Sequence, residues 1–187
     1  AIARYGHFSL LQELHLPSSQ FAMTSVVQPC LFAVQVALAA MLQAHGLHPT
    51  CIIGHSVGEV SAAYVSGALS LDDAARLVVN YSRLQATTAG NGGMALVQLP
   101  LAEAPAHLSA YGDALCIAGE NSPDSTILSG RPAALDAVIE KLRAQGRFAA
   151  RIDVNIAAHS PQMDPLLPAL IAQLDGSTGP LAVLRVS

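Results

Sequence analysis

Ile52-Ile53-Gly54-His55-Ser56-Val57-Gly58-Glu59 runs an apolar pair straight into Gly-x-Ser-x-Gly, and small and apolar residues, Val60 to Val65, follow it. Strand, sharp turn and helix in that order make the setting of a nucleophile elbow. Such a turn holds Ser56 on strained backbone with its hydroxyl outward, while Gly54 and Gly58 omit the Cβ atoms that would collide where strand and helix cross. The helix then starts beside the hydroxyl. Its unpaired N–H groups, that of Val57 first, are placed to stabilise an oxyanion.

On the N-terminal side, apolar residues recur with helical spacing from Pro29 to His45. Pro29 suits a first-turn position and Gly46 a C-terminal cap, which predicts a largely buried helix. A shorter helical pattern, Phe8 to Leu14, precedes it and leads into a polar connection containing Pro17, Ser18 and Ser19. Pro49 and Thr50 introduce a short strand, Cys51 to Ile53. Beyond the elbow, Leu71-Asp72-Asp73 opens an amphipathic helix that continues to about Leu84, with acidic residues in its first turn. Helix, strand, elbow, helix and helix form the rhythm of a parallel α/β layer.

Ala89-Gly90-Asn91-Gly92-Gly93 is a boundary after which the rhythm changes. Met94 to Leu99 reads as a strand, Ala102 to Tyr111 as a helix, and Ala114 to Ala118 and Ser125 to Ser129 as strands joined by the turn Glu120 to Asp124. Ala133 to Gln145 is a helix closed by Gly146, and Arg147 to Val154 a last strand. The order βαββαβ is the split-βαβ, ferredoxin-like arrangement. The expected organisation is an α/β-hydrolase-like catalytic subdomain with a parallel sheet, residues 1–91 and 156–187, interrupted by a ferredoxin-like small subdomain, residues 92–155. An apolar helix is expected from Leu166 to Leu174 and a strand from Leu181 to Val186, and both ends read as cut.

Composition narrows the function. At 52% hydrophobic and 12% charged residues the chain is a folded one. A net charge of -4, with Lys141 the single lysine, leaves no basic stripe for nucleic acid. No targeting signal is evident, and the apolar run Cys30 to Leu42, broken by Gln35, is too short to span a bilayer. Cys30, Cys51 and Cys116 lack C-x-x-C spacing and read as buried, reduced thiols, so the expected location is cytoplasmic, with neither membrane nor metal involved.

A serine hydroxyl needs a base within hydrogen-bond reach, and histidine is the usual one. His7, His15, His45 and His48 lie upstream in helix or loop surroundings and suit surface or capping roles. His55 precedes Ser56, and alternation along extended chain points it the other way, where it supports the turn. His107 sits in the first helix of the insert with no partner motif and reads as solvated. His159 remains: it follows the insert, and Ser160-Pro161 forces a tight turn there. The group that orients His159 stays open between a carboxylate and a carbonyl. Asp153 and Asp164 are nearest in sequence, and a solvated or capping role fits both better than a triad role.

With Gly54-His55-Ser56-Val57-Gly58-Glu59 and His159-Ser160-Pro161 in place, the chain resembles the acyltransferase domains of modular polyketide synthases, and is similar to malonyl-CoA:acyl-carrier-protein transacylases. The likeness includes Val27-Gln28-Pro29-Cys30-Leu31-Phe32-Ala33-Val34-Gln35, Gly67 to Val78, Asn121-Ser122-Pro123, Leu128-Ser129-Gly130 and His159 to Met163. It implies a transferase of polyketide, hence secondary-metabolite, biosynthesis. Ser56 is acylated from acyl-CoA, His159 is the base, the Val57 N–H forms part of the oxyanion hole, and the acyl group passes to the phosphopantetheine thiol of an acyl carrier protein. No bound cofactor is implied. Neighbouring synthase domains are the other implied partners, and His55, Tyr81, Asn121, Ile156 and Ala158 the implied substrate contacts. A backbone carbonyl orients the histidine in this family.

Three departures sharpen the expectation. The family's opening Gly-Gln-Gly-x-Gln segment, which completes the oxyanion hole, and the region that supplies the orienting carbonyl are not in this sequence. Where malonyl-type members hold the substrate carboxylate with an arginine, Arg76-Leu77-Val78-Val79-Asn80-Tyr81-Ser82-Arg83-Leu84 carries Tyr81. A phenol offers one hydrogen bond and no charge, whereas arginine pairs bidentately with carboxylate. Arg83, two positions on and about 200° round the helix, should face elsewhere. The four residues ending at the histidine, Ile156-Ala157-Ala158-His159, are neither His-Ala-Phe-His nor Tyr-Ala-Ser-His and leave an apolar floor that is small at position 158. The expectation is a starter-unit acyltransferase moving a non-carboxylated acyl group. A malonyl-type enzyme with an unusual pocket, an editing acyl hydrolase of the same fold and a non-catalytic docking domain are the alternatives.

Overall fold

The computed structural model of the chain describes residues 1–15 and 21–174. The connection around Pro17 to Ser19 and the expected strand Leu181 to Val186 lie outside the described residues. The chain forms two compact units: Ala1–Ala86 with the described residues from Pro168 on, and Thr87–Leu167.

The first unit is built from helices α1 (Ile2–Tyr5), α2 (Leu10–His15), α3 (Thr24–Ala44), α4 (Gly58–Val65) and α5 (Leu71–Ala86). Their apolar stripes meet in a cluster of Ile2, Phe32, Val60, Leu69, Leu77 and Val78 with the alanines Ala74 and Ala75, small enough to let the helices approach closely. Helix α5 opens on an N-cap: the Ser70 hydroxyl accepts from the Asp73 N–H at 3.1 Å and donates to the Asp73 carboxylate at 2.7 Å. Helix α3 ends in a Schellman motif, with Gly46 at φ 80°, its N–H on Gln43 and the Leu47 N–H on Leu42.

Helix α3 differs from expectation in three ways. It starts at Thr24, so Pro29 lies inside it, one turn beyond the position where a missing N–H costs nothing. Its burial is confined to Val26, Pro29, Cys30 and Phe32, while Leu38, Met41 and Leu42 are about half exposed, because α4 and α5 pack on its first half. At 21 residues it is also long and apolar enough, by length and composition, to cross a membrane. Two side-chain hydrogen bonds instead tie it to the other helices, from Gln28 to Gln85 and from Ser61 to Gln35.

The second unit is β1 (Gly93–Val97), α6 (Ala104–Leu108), a 3₁₀ turn (Ser109–Ala114), β2 (Leu115–Ser122), β3 (Ser125–Gly130), α7 (Pro132–Ala144) and β4 (Ala149–Ile152). The sheet order β2-β3-β1-β4, all antiparallel, is that of the split βαβ. Ala95 and Val97 of β1 and Leu128 of β3 face Leu135, Val138, Ile139 and Leu142 of α7, in a core completed by Leu99, Leu108 and Ala149. Buried Thr126 ties β3 to the end of β1 through its hydroxyl on the Leu99 carbonyl, 2.6 Å. The expected turn Glu120 to Asp124 narrows to two residues, since β2 runs on to Ser122, which pairs with Ser125. A 3₁₀ turn after α6 replaces the second half of the expected helix, Gly112 there taking a non-helical conformation.

The class is mixed α/β, as the sequence indicates. Among the described residues its sheet is this antiparallel one, and Cys51 to Ile53, expected as a strand, has no ladder partner. A strand is defined by bonds to a neighbour, and Ile53 is 89% exposed. The expectation of three buried thiols is corrected at Cys51, which is exposed for the same reason; Cys30 is buried and Cys116 half-buried. His107 is not simply solvated, because its Nδ1 is buried without a partner among the described residues.

Candidate active site

Ser56 has φ 54°, in the left-handed region that L side chains rarely adopt. That backbone lifts the serine onto an exposed corner just before α4. The chain then tightens: the Gly58 N–H bonds the His55 carbonyl at 3.0 Å, Glu59 bonds Ser56 at 2.9 Å and Val60 bonds Val57 at 3.2 Å. The Val57 N–H, one residue ahead of α4, donates to no backbone carbonyl among the described residues. The two elbow glycines are unequal. A Cβ on Gly54 would collide with the Glu59 and Gly58 backbone, whereas one on Gly58 would only touch Gln35 Nε2 at 3.8 Å. Sequence pattern assigned the close crossing to both.

His159 is the other non-glycine residue with positive φ among the described residues, at 56°. Its turn is closed by Ser160, whose hydroxyl donates to the Ala157 carbonyl at 2.6 Å and accepts from the Gln162 N–H at 3.2 Å, capping the 3₁₀ helix Pro161–Leu166. Within the same unit the Cys116 thiol of β2 lies 3.7 Å from the His159 carbonyl. Burial pushes that thiol's pKa up, so it stays a donor at neutral pH. Gly92 is required here: a Cβ on it would run into the backbone of Ala157. The Gly90 N–H bonds the Asn155 carbonyl at 2.8 Å, so the boundary glycines form a seat for the turn. Asp153 and Asp164 are both exposed.

Tyr81 is half-buried on α5, with its hydroxyl in a hydrogen bond to Gln85 one turn on. Burial raises the phenol's pKa, and the Gln85 contact offsets part of the rise. Arg83 is exposed and donates to Asn80 at 2.9 Å, turned from the Tyr81 face as helix geometry requires. Ile156 is 3% exposed and Ala158 half-buried, and Asn121 is exposed near the end of β2. A groove of about 820 Å³ between α3, the 47–55 segment and α4 is lined by His55, Gly54 and Ser61; neither Ser56 nor Val57 lines it. No group of three or more His, Cys, Asp or Glu among the described residues is arranged to hold a metal.

The sequence reading passed over Gln28 and Gln85. Gln28 Nε2 donates to Gln85 Oε1 at 2.9 Å, and Gln85 in turn meets Tyr81. The available signal was spacing: Gln85 stands four residues after Tyr81, on the same face of α5.

An elbow serine on left-handed backbone and a split-βαβ unit are features of an α/β acyltransferase. The chain belongs to the acyltransferase domain family of polyketide synthases: the family model described as "Acyl transferase domain" matches residues 1–182. A mycocerosic acid synthase-like polyketide synthase of Mycolicibacterium smegmatis is 45% identical over 149 residues, 79% of this chain and 7% of that protein. The acyltransferase domain from module 8 of the salinomycin polyketide synthase superposes with TM-score 0.91 at 38% identity, covering 95% of this chain and 43% of that one. A loading acyltransferase of the avermectin modular polyketide synthase gives 0.89 at 35%, covering 95% and 58%. The chain therefore spans less than two thirds of each of these relatives.

Proposed function

We propose that the enzyme containing this chain transfers a non-carboxylated acyl group from acyl-CoA to the phosphopantetheine thiol of an acyl carrier protein, with Ser56 as nucleophile and His159 as base. The Ser56 oxygen attacks the thioester carbonyl as its proton passes to His159, and the Val57 N–H meets the developing oxyanion. Collapse expels the coenzyme A thiolate, which takes the proton and leaves an ester on Ser56. The carrier thiol then attacks that ester, again with His159 accepting the proton, and collapse returns the proton to the serine oxygen. The left-handed backbone at both residues supports these roles, since such strain persists where the surrounding structure holds it for function.

The observation that carries the substrate class is Tyr81. The module 8 and loading acyltransferases resemble this chain almost equally, so the choice rests on this side chain. Half-buried, neutral and held by Gln85, it offers a carboxylate no counter-charge, and Arg83 is engaged with Asn80. Leaving a buried carboxylate without its partner costs about 3–5 kcal/mol, a factor of hundreds or more. Ile156 and Ala158 add apolar surface. The test is the mass added to Ser56 in the intact enzyme incubated with acetyl-, butyryl-, longer monoacyl- and malonyl-CoA. Monoacyl groups should dominate and Tyr81→Arg should shift labelling toward malonyl; malonyl dominating in the native enzyme defeats the reading.

A further inference from the structure

Ser160 fastens the His159 turn to Ala157 and Gln162, and a second contact reaches the histidine's own peptide. The Cys116 thiol lies 3.7 Å from the His159 carbonyl oxygen, and since a carbonyl only accepts, the thiol is the donor. Cys116 stands in a cross-strand row with Ser129 of β3 and Met94 of β1. Their neighbours along the strands, Leu115, Leu128 and Ala95, pack into the core with α7. Alternation therefore sends the row to the opposite face of the sheet. The turn meets this end of the sheet at two points. Ala157 lies where a side chain on Gly92, two residues before Met94, would have to go, and His159 meets Cys116. Ser129, small and central in the row, is fully buried.

We propose that Cys116 is a positioning residue for the base: its thiol holds the His159 peptide and thereby aims the imidazole. The inference rests on the reading of His159 as the base, and it names a group that steadies it. The direction of a residue's carbonyl is set by ψ, so a donor on that oxygen restrains the torsion beside the histidine's Cα. The restraint counts because His159 has φ 56°. Such a conformation costs on the order of 1–3 kcal/mol and persists only where the surroundings hold it. A thiol suits the task in two ways. Burial keeps it protonated and so a donor, and the long bond to sulfur lets a short side chain reach from strand to turn. Ser160 holds the residues on either side of His159, whereas Cys116 holds His159 itself.

The experiment is single-turnover acylation of Ser56 in the intact enzyme, read by mass, with butyryl-CoA and malonyl-CoA separately over a range of concentrations. It compares the native enzyme, Cys116→Ala, His159→Ala and the double variant as a cycle. Misfolded enzyme lowers the amplitude and not the rate constant, so a variant that folds poorly still reports it. With whichever donor labels Ser56, Cys116→Ala should lower the maximal rate constant about three- to tenfold, the range expected for one lost hydrogen bond. The half-saturating concentration should not move. In the His159→Ala background the same substitution should change nothing, since no imidazole is left to aim. A purely structural role would slow both backgrounds alike, and that result overturns the inference. An unchanged rate constant in Cys116→Ala, or an effect confined to half-saturation, overturns it too, and each of these leaves the proposed function standing. His159→Ala acylating as fast as the native enzyme overturns the reading of His159 as base and this inference together.

Discussion

Left-handed backbone at Ser56 costs on the order of 1–3 kcal/mol relative to common conformations, and glycine does not incur that cost. Ser56→Ala and Ser56→Gly both remove the proposed nucleophile, yet only the second relieves the backbone. The glycine variant should therefore melt about 2–4 °C above the alanine variant by calorimetry, for about 1 kcal/mol in a chain of this size, with neither taking up an acyl label. Equal melting temperatures would mean that the turn holds no strain. Tyr81 makes a different expectation at the same scale. Its folded pKa is raised, mainly by burial, so its contribution to stability is complete below the ordinary tyrosine value of about 10 and is lost as pH rises through the folded value. Tyr81→Phe should flatten the decline of melting temperature on the alkaline side of that value and leave the neutral range unchanged in slope.

At the scale of elements, two short turns carry the proposed nucleophile and base, Ser56 and His159, and differ in what supports them. The elbow has the successive backbone bonds onto His55, Ser56 and Val57 that begin α4. The His159 turn has support from its own Ser160 and from elsewhere in its unit: Ser160 closes it, Cys116 of β2 reaches its carbonyl, and Gly92 gives it room. Ser160→Ala removes both hydrogen bonds of the cap. Its cost should be about 1 kcal/mol in stability, with a fall in the acylation rate constant larger than the change in acyl-CoA affinity, since the histidine's position is disturbed and the acyl contacts are not. Single-turnover kinetics over a range of acyl-CoA concentrations separates the two effects. Ser160→Thr, which keeps the hydroxyl, should restore most of the rate.

At the scale of the molecule, the second unit has its own core and a closed set of strand pairings. Leu99, Leu128, Leu135, Val138 and Leu142 are all fully buried within it, and each of its four strands finds its partners there. Residues 87–167 expressed alone should show a cooperative thermal transition by circular dichroism, and Leu142→Ala should destabilise that fragment by about 2–5 kcal/mol. A fragment with no cooperative transition would show that this sheet depends on the rest of the chain. The first unit is different in kind. Leu38, Met41, Leu42 and Ile53 are exposed, and Cys51 to Ile53 has no neighbouring strand among the described residues.

Local pattern was enough for much of this protein. Gly-x-Ser-x-Gly before small helical residues encodes the elbow, because the need for glycine at the Gly54 crossing and for a turn at Ser56 arises within six residues. The βαββαβ order likewise follows from local periodicity, since alternation and helical spacing each act over a few residues, and glycines 46 and 146 end their helices through bonds to the preceding turn. What tertiary structure decided depends on groups far apart in the chain. The Gln28–Gln85 bond joins residues 57 apart, the Cys116 contact to His159 spans 43, and the fit of Gly92 against Ala157 depends on a loop's return to the sheet. Cys51 to Ile53 shows the same rule in the negative. Sequence supplies a strand's propensity, but only a hydrogen-bonded neighbour makes the strand.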